Sequence, residues 1–269
     1  MLFPIRRILA CTDLGPESNE VLRSAERIRK KVKGELDILH ICEYSLFDNH
    51  DEIASKIDEQ IERNGIVARR WIASGPIAQK ILETVHREEN SYDLLVIGHS
   101  NKKGFFKRLM GGVARKIITL VEVPTIVVSR PMQFHKIAGY INDTGSTQLM
   151  ITSILDFYRK LGFKEAEFVA LWHNLPELLY DRQELNNFQD ELIEDIYSYS
   201  SEDDFISVRV EEAQEFEAAT QLGQIINQDQ ISMAVIKRSR TQKMSQLIQA
   251  NECIHILNLE ASNLMVIPY

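Results

Sequence analysis

The chain has 269 residues, 44% hydrophobic and 26% charged, a globular composition that excludes a disordered tail protein or a collagen-like repeat and, at roughly 100–200 residues per domain, suggests two domains. Its 31 basic and 39 acidic residues give a formal charge of −8, without the basic footprint that general nucleic-acid binding requires. The charge is uneven: residues 1–131 hold 21 Lys+Arg against 18 Asp+Glu, whereas 132–269 hold 10 against 21.

The N-terminus, MLFPIRRILACTDLG, sets Arg6 and Arg7 between short apolar pieces instead of building a signal-peptide core. No apolar run reaches the roughly 18 residues of a membrane span. The expectation is a cytoplasmic protein with no membrane contact. RILACT (7–12) reads as a buried strand ending in Asp13-Leu14-Gly15-Pro16, with Pro16 suited to a first helical turn. Val21, Leu22, Ala25, Ile28 and Val32 follow at helical spacing, and Gly34 ends that segment. A strand over 36–41 leads to a helix marked by Ile53, Ile57 and Ile61, stopped at Asn64-Gly65. A third strand over 66–74 meets Gly75-Pro76, and a helix carries Ile77, Ile81, Leu82 and Val85. DLLVIG (93–98) is apolar enough to be buried on both faces. A glycine-bearing loop, a helix from about 111 to 121 and a fifth strand over 124–129 complete the half.

The same order of elements returns from Lys136. KIAGYINDTG echoes the first strand and its turn, with Asp143-Thr144-Gly145 set against Asp13-Leu14-Gly15. AEFVALW (166–172), FISVRV (205–210), MAVIK (233–237) and NLMVIP (263–268) supply four more strands with helices between them. Residues 130–135 form a joint too short for free swinging. Strands alternating with helices imply parallel pairing through right-handed crossovers, hence a doubly wound α/β sheet in each half. Ligands of such sheets sit beyond the carboxyl ends of the strands, where strand order reverses. That places Thr12-Asp13, Ile41-Cys42 and the stretch Gly98 to Gly112 in one neighbourhood.

Gly98-His99-Ser100-Asn101 opens a loop that reaches Gly111-Gly112-Val113 at a helix start. Glycines there bring backbone N–H groups close to a ligand, and a helix N-terminus favours phosphate. Lys102, Lys103, Lys107, Arg108, Arg115 and Lys116, with no acid among them, either reinforce that attraction or form a solvated face. The stretch resembles the universal stress protein family, whose loop reads Gly-x-x-Gly, nine residues, then Gly and Ser or Thr, with an Asp closing the first strand. Gly98, Gly111 and Asp13 match; Asn101 stands at the second glycine and Gly112 at the hydroxyl residue.

The resemblance implies a Rossmann-like, adenine-nucleotide-hydrolase-like fold in two tandem five-stranded sheets packed as a pseudo-dimer. Residues 1–131 would form the domain with a partly kept nucleotide loop and 132–269 a degenerate companion. It also implies ATP or AMP as ligand, with Cys11, Thr12, Asp13 and Ile41 near adenine and ribose, and Ile97, Gly98, His99, Ser100, Asn101, Gly111, Gly112 and Val113 about the phosphates. No metal is expected beyond nucleotide-associated Mg. Last-strand pairing, TIVVS with LMVIPY or across chains in a homodimer, is a further implication. In the second half Lys237 follows the fourth strand where Gly98 stands in the first, and 237–252 contains no glycine; Arg238, Arg240 and Lys243 read as a solvated loop or an anion grip.

Cys11, Cys42 and Cys253 are too scattered for a disulfide framework or a Cys-x-x-Cys site and suit a reducing compartment. The seven histidines show no ligand spacing. Pyrophosphatase, Walker and nucleophile-elbow motifs do not occur. Three functions follow: a stress-response module that binds nucleotide, a nucleotide-independent adaptor that meets a protein partner through Phe105-Phe106 and the basic loop, and a weak ATP hydrolase on the same fold.

Overall fold

The computed structural model describes residues 4–16, 18–43, 49–87, 91–99, 116–141, 147–173, 182–213, 218–238 and 262–268. In the first half, β1 (Arg7–Thr12), α1 (Ser18–Val32), β2 (Glu35–Cys42), α2 (His50–Arg63), β3 (Arg69–Ser74), α3 (Ile77–Val85) and β4 (Leu94–Gly98) alternate as expected. The helical residues 116–120, here α4, and β5 (Thr125–Val128) follow. The second half runs β6 (Lys136–Ile141), α5 (Thr147–Leu161), β7 (Glu165–His173), α6 (Arg182–Tyr199), β8 (Ile206–Ala213), α7 (Ala218–Gln228), β9 (Met233–Arg238) and β10 (Asn263–Pro268).

Two boundaries differ from expectation for local reasons. Pro16 precedes α1, whose first residue is Ser18, and the Ser18 N–H closes the turn on the Gly15 carbonyl at 3.1 Å. The third strand starts at Arg69, not at Ile66. Gly65, at φ +60°, turns the chain out of α2, and the Ile66 N–H returns to the Ile61 carbonyl at 3.0 Å. That bond caps the helix C-terminus and keeps Ile66 out of the ladder.

The strands form one ten-stranded sheet in the order β3-β2-β1-β4-β5-β10-β9-β6-β7-β8. Within each half every pairing is parallel; β5 and β10 pair antiparallel, with Ile126 opposite Met265. The two five-stranded sheets are thus fused about a local two-fold, and Thr125–Val127 meets Leu264–Val266 within the chain. Side chains alternate between two apolar layers. One layer packs against α1, α2, α5 and α6, the other against α3, α4 and α7, and each contains residues of both halves.

The joint is pinned by side chains. Asn263, with no exposed surface, accepts the Ser129 and Arg130 N–H groups on Oδ1 at 3.0 and 3.2 Å. Its Nδ2 donates to the Ser232 carbonyl at 3.4 Å. The Arg27 guanidinium donates to the Met132 carbonyl at 2.6 Å, and the Lys31 ammonium lies 4.5 Å from the centre of the Phe134 ring.

Candidate functional site

The sheet opens where the strand order reverses. β1 pairs with β4 through Ile8–Leu94, Leu9–Leu95 and Ala10–Val96. Beyond that point β1 continues with β2 as far as Thr12–His40, and β4 continues with β5 as far as Gly98–Val128. The β1–β4 pairing therefore ends there, each strand being continued with its outer neighbour, and this is the topological switch point, the place where sheets of this kind form a ligand crevice.

One wall is the turn between β1 and α1. Asp13 Oδ1 accepts the Gly15 N–H at 2.9 Å and the Ser18 hydroxyl, while the Asp13 N–H donates back to Ser18 Oγ at 3.1 Å. The Thr12 hydroxyl donates to Gln60 Oε1 and accepts the Leu14 N–H, both at 3.1 Å. These bonds hold Leu14 at φ +64°, a left-handed conformation disfavoured for a side chain with a Cβ. His40 Nδ1 lies 2.9 Å from the Thr12 carbonyl; since a carbonyl only accepts, that nitrogen carries the proton. The turn is consequently preorganised by Thr12, Asp13, Ser18, His40 and Gln60. Of these, Gln60 carries no signal in the sequence, because its contact with Thr12 spans 48 residues, whereas Ser18 lies only five residues from Asp13.

The other wall is the end of β4. An added Cβ at Gly98 would lie 2.9 Å from Val21 Cγ2, so α1 approaches the strand where a side chain is missing. The His99 N–H donates to the Val128 carbonyl at 2.8 Å and extends the β4–β5 ladder. Ile41 and Ile97 are buried in the layer beneath, on the side of α3 and α4. Cys11 is buried in the same layer, and burial pushes its thiol up to about 12, which suits an inert core group better than a nucleophile or ligand. Cys11, Thr12, Asp13, Ile97, Gly98 and His99 are brought to the cleft ends of β1 and β4, with Ile41 at the end of the adjoining β2. Ser100, Asn101, Gly111, Gly112 and Val113 lie outside the described residues, as does the basic run up to Arg115.

The most heavily bonded charges sit at the opposite, amino-terminal end of the strands. Asp37 is buried and accepts from Arg7 at 3.0 Å, Arg69 at 2.8 Å and the Tyr92 hydroxyl at 2.8 Å. Burial and the hydrogen bond to Asp37 push the Tyr92 hydroxyl well above its ordinary value. Glu167 repeats the arrangement with Lys136 and Arg209, each at 3.0 Å. Both are buried cross-strand ties. Among the described residues no group of three or more His, Cys, Asp or Glu side chains could hold a metal ion, and no helix is long and apolar enough to cross a membrane.

Residues 4–129 match the universal stress protein family model. The first half of the chain is a universal stress protein domain. Universal stress protein C of Escherichia coli K12 is 28% identical over 136 residues, covering 45% of this chain and 93% of that protein. Universal stress protein MJ0531 of Methanocaldococcus jannaschii is 24% identical over 143 residues, covering 47% and 83%. A universal stress protein structure from Archaeoglobus fulgidus covers 100% of this chain and 98% of its own at 17% identity and a TM-score of 0.70. A further one, a putative universal stress protein from Pseudomonas aeruginosa, covers 98% and 93% at 16% identity and a TM-score of 0.71. The ten-stranded arrangement is thus a fold shared along the whole chain.

The second half can be laid on the universal stress protein domain through its registers. Gly139 pairs with Val235 as Ala10 pairs with Val96, and Lys237 pairs with Ile267 as Gly98 pairs with Val128. Lys237 therefore occupies the Gly98 step and Arg238 the His99 step. Lys237 is buried, and desolvation lowers its pKa. The reading of Arg238 as part of a solvated loop is corrected: it belongs to β9, is 5% exposed, and donates through Nη1 to the Thr119 carbonyl and through Nη2 to the Val121 carbonyl. The cause is tertiary: the β5–β10 junction brings the end of β9 beneath α4. The Asp143-Thr144-Gly145 echo, together with Arg240 and Lys243, lies outside the described residues.

Proposed function

We propose that this chain is a tandem universal stress protein in which residues 1–131 bind an adenine nucleotide, ATP or AMP, and residues 132–269 are a companion domain without that ligand. The observation that carries the reading is the end of the β1–β4 pairing at Ala10 and Val96, flanked by a bare Gly98 and a prebuilt Thr12–Gly15 turn. A crevice at such a switch point collects backbone N–H groups and excludes side-chain bulk, the arrangement that suits a phosphorylated ligand. Asp13 Oδ1 is committed to the turn, so its role toward a ribose would run through the remaining oxygen. The second half carries Lys237 at the step where the first has Gly98, and that difference supports reading it as the companion without the ligand.

Among the described residues the cleft brings together neither a nucleophile with its base nor a carboxylate pair, and this supports a binding and signalling module in which occupancy alters a partner surface. Calorimetric titration with ATP, ADP and AMP tests it: saturation near one site per chain is expected. Gly111→Val should abolish the heat without lowering the melting temperature. Absence of binding by all three nucleotides points to the adaptor function, and sustained phosphate release to the hydrolase.

A further inference from the structure

The ten-stranded sheet ends in β3 on one side and β8 on the other, and among the described residues neither strand has a neighbour on its outer side. Such an edge presents a row of backbone N–H and C=O groups to any strand able to pair with it. β3 and β8 run in opposite directions, because each half is parallel throughout and the halves join antiparallel at β5 and β10. A second copy placed with its β8 beside β3 would therefore form an antiparallel pair, repeating the geometry of the β5–β10 junction and keeping each helix layer on its own side.

The two edges differ in ways that fit one another. Trp71, on the α3 face of β3, is 40% exposed and lines a pocket of about 230 Å³ with Ala73, Ser74, Lys80, Glu83 and Arg87. That volume suits one aromatic side chain and falls short of the roughly 300–1,000 Å³ of a small-molecule site. Phe205, the residue before β8, is 74% exposed. Ile206 packs against the layer of α5 and α6, so strand alternation sets Phe205 on the other face, which is the α3 face of the sheet. In an antiparallel pair the start of β8 meets the end of β3, which would bring Phe205 to this pocket and Glu202 and Asp203 toward Lys80 and Arg87. At the far end of the pair Glu211 would come to Arg69 and Arg70. Both arginines are ion-paired within the domain yet keep more than 40% of their side chains exposed, and five N–H donors give each the capacity for a further carboxylate. The same complementarity holds for the halves, with 21 basic and 18 acidic residues in 1–131 against 10 and 21 in 132–269.

We propose that this chain associates head to tail with a second copy of itself, β8 of one copy pairing with β3 of the next and Phe205 filling the pocket beside Trp71. The contact is heterologous, so nothing in it stops growth at two copies. It is one strand wide and rich in ion pairs, which places it in the weak, salt-sensitive class of interfaces. It does not depend on the nucleotide reading.

Sedimentation equilibrium of the full chain over about 10–300 μM in about 50 mM NaCl tests it. The weight-average mass should rise with concentration past that of two copies without a plateau, and fall toward one copy in about 500 mM NaCl. Trp71→Ser and Phe205→Ser should each associate about tenfold more weakly than wild type. Mixed in equal amounts they should form pairs and stop there, because the intact Phe205 of one variant meets the intact pocket of the other and both outer ends are defective. If Trp71→Ser melts below the assay temperature, Arg87→Glu, just past α3, takes its place in the mixture. A wild type that stays monomeric, or that plateaus at two copies, overturns the inference. So does a single variant that associates as wild type does, or a mixture no larger than its components.

Discussion

Replacing Gly98 with Ala probes how tightly α1 is set against the cleft. The new Cβ would lie 2.9 Å from Val21 Cγ2, whereas carbon atoms rest comfortably at about 3.5–4.0 Å. Either the strand end or α1 must move by roughly half an ångström, at an overpacking cost of about 1–3 kcal/mol. At about 2–4 °C per kcal/mol for a chain of this size, the melting temperature should fall by about 2–12 °C. The displaced helix carries Ser18, the partner of Asp13, so nucleotide affinity should weaken in parallel. Val21→Ala removes the offending methyl and on its own should cost about 1–3 kcal/mol. Combined, the two substitutions should destabilise by at least 1 kcal/mol less than their sum, and affinity should recover toward wild type. Chemical denaturation and calorimetry of the four-member cycle measure both. Additivity to within about 0.5 kcal/mol, or an affinity loss that persists in the double variant, refutes the close approach as the reason for Gly98.

Three further outcomes follow from the same contacts. Asn263→Leu leaves the Ser129 and Arg130 N–H groups without their side-chain acceptor and should lower unfolding free energy by about 2–4 kcal/mol in urea; a loss below about 0.5 kcal/mol would show that the joint is held by other means. Asp204, 2.5 Å from Arg159, is held below its ordinary value of 3.8 by that hydrogen bond. Its contribution is present above pH 4 and lost as pH falls through the lower folded value, so Asp204→Asn should cost about 1 kcal/mol at pH 7 and progressively less as the pH is lowered below 4. A cost that is independent of pH contradicts the ion pair. Cys11 and Cys42 are buried, and the Cys11 thiol is pushed up to about 12, so peptide mapping after iodoacetamide at pH 8 should find both unlabelled in the native protein and labelled in denaturant. Native labelling of Cys11 at the rate of an ordinary thiol would contradict its placement.

The fold was legible wherever local chemistry decides it. Apolar runs such as Leu94–Ile97 and helical stripes such as Val21, Leu22, Ala25 and Ile28 all fell in the elements read from them. Boundaries slipped where a cap competes with a ladder, as at Ile66, whose N–H belongs to the end of α2. At the site, Asp13 was legible as the end of the first strand and its turn; Gly98 was read as a point of approach for a ligand, whereas its described close neighbour is Val21 of α1. Gln60 was not legible, since its partner Thr12 is set by packing across 48 residues. Arg238 was misread for the same reason: nothing in KRSRTQK shows that the end of β9 lies under a helix of the other half. The fused sheet was half legible, as the last strands of both halves were seen to be free to pair but their partner depended on the two-fold.

The central claim, nucleotide binding by the first half and none by the second, is tested most directly by a crystal structure with ATP or AMP at saturating concentration. The expected result is density against Thr12–Gly15 and Gly98, with the space beside Lys237 and Arg238 unchanged. Density beside Lys237, or a ligand-free first cleft at saturation, would contradict it.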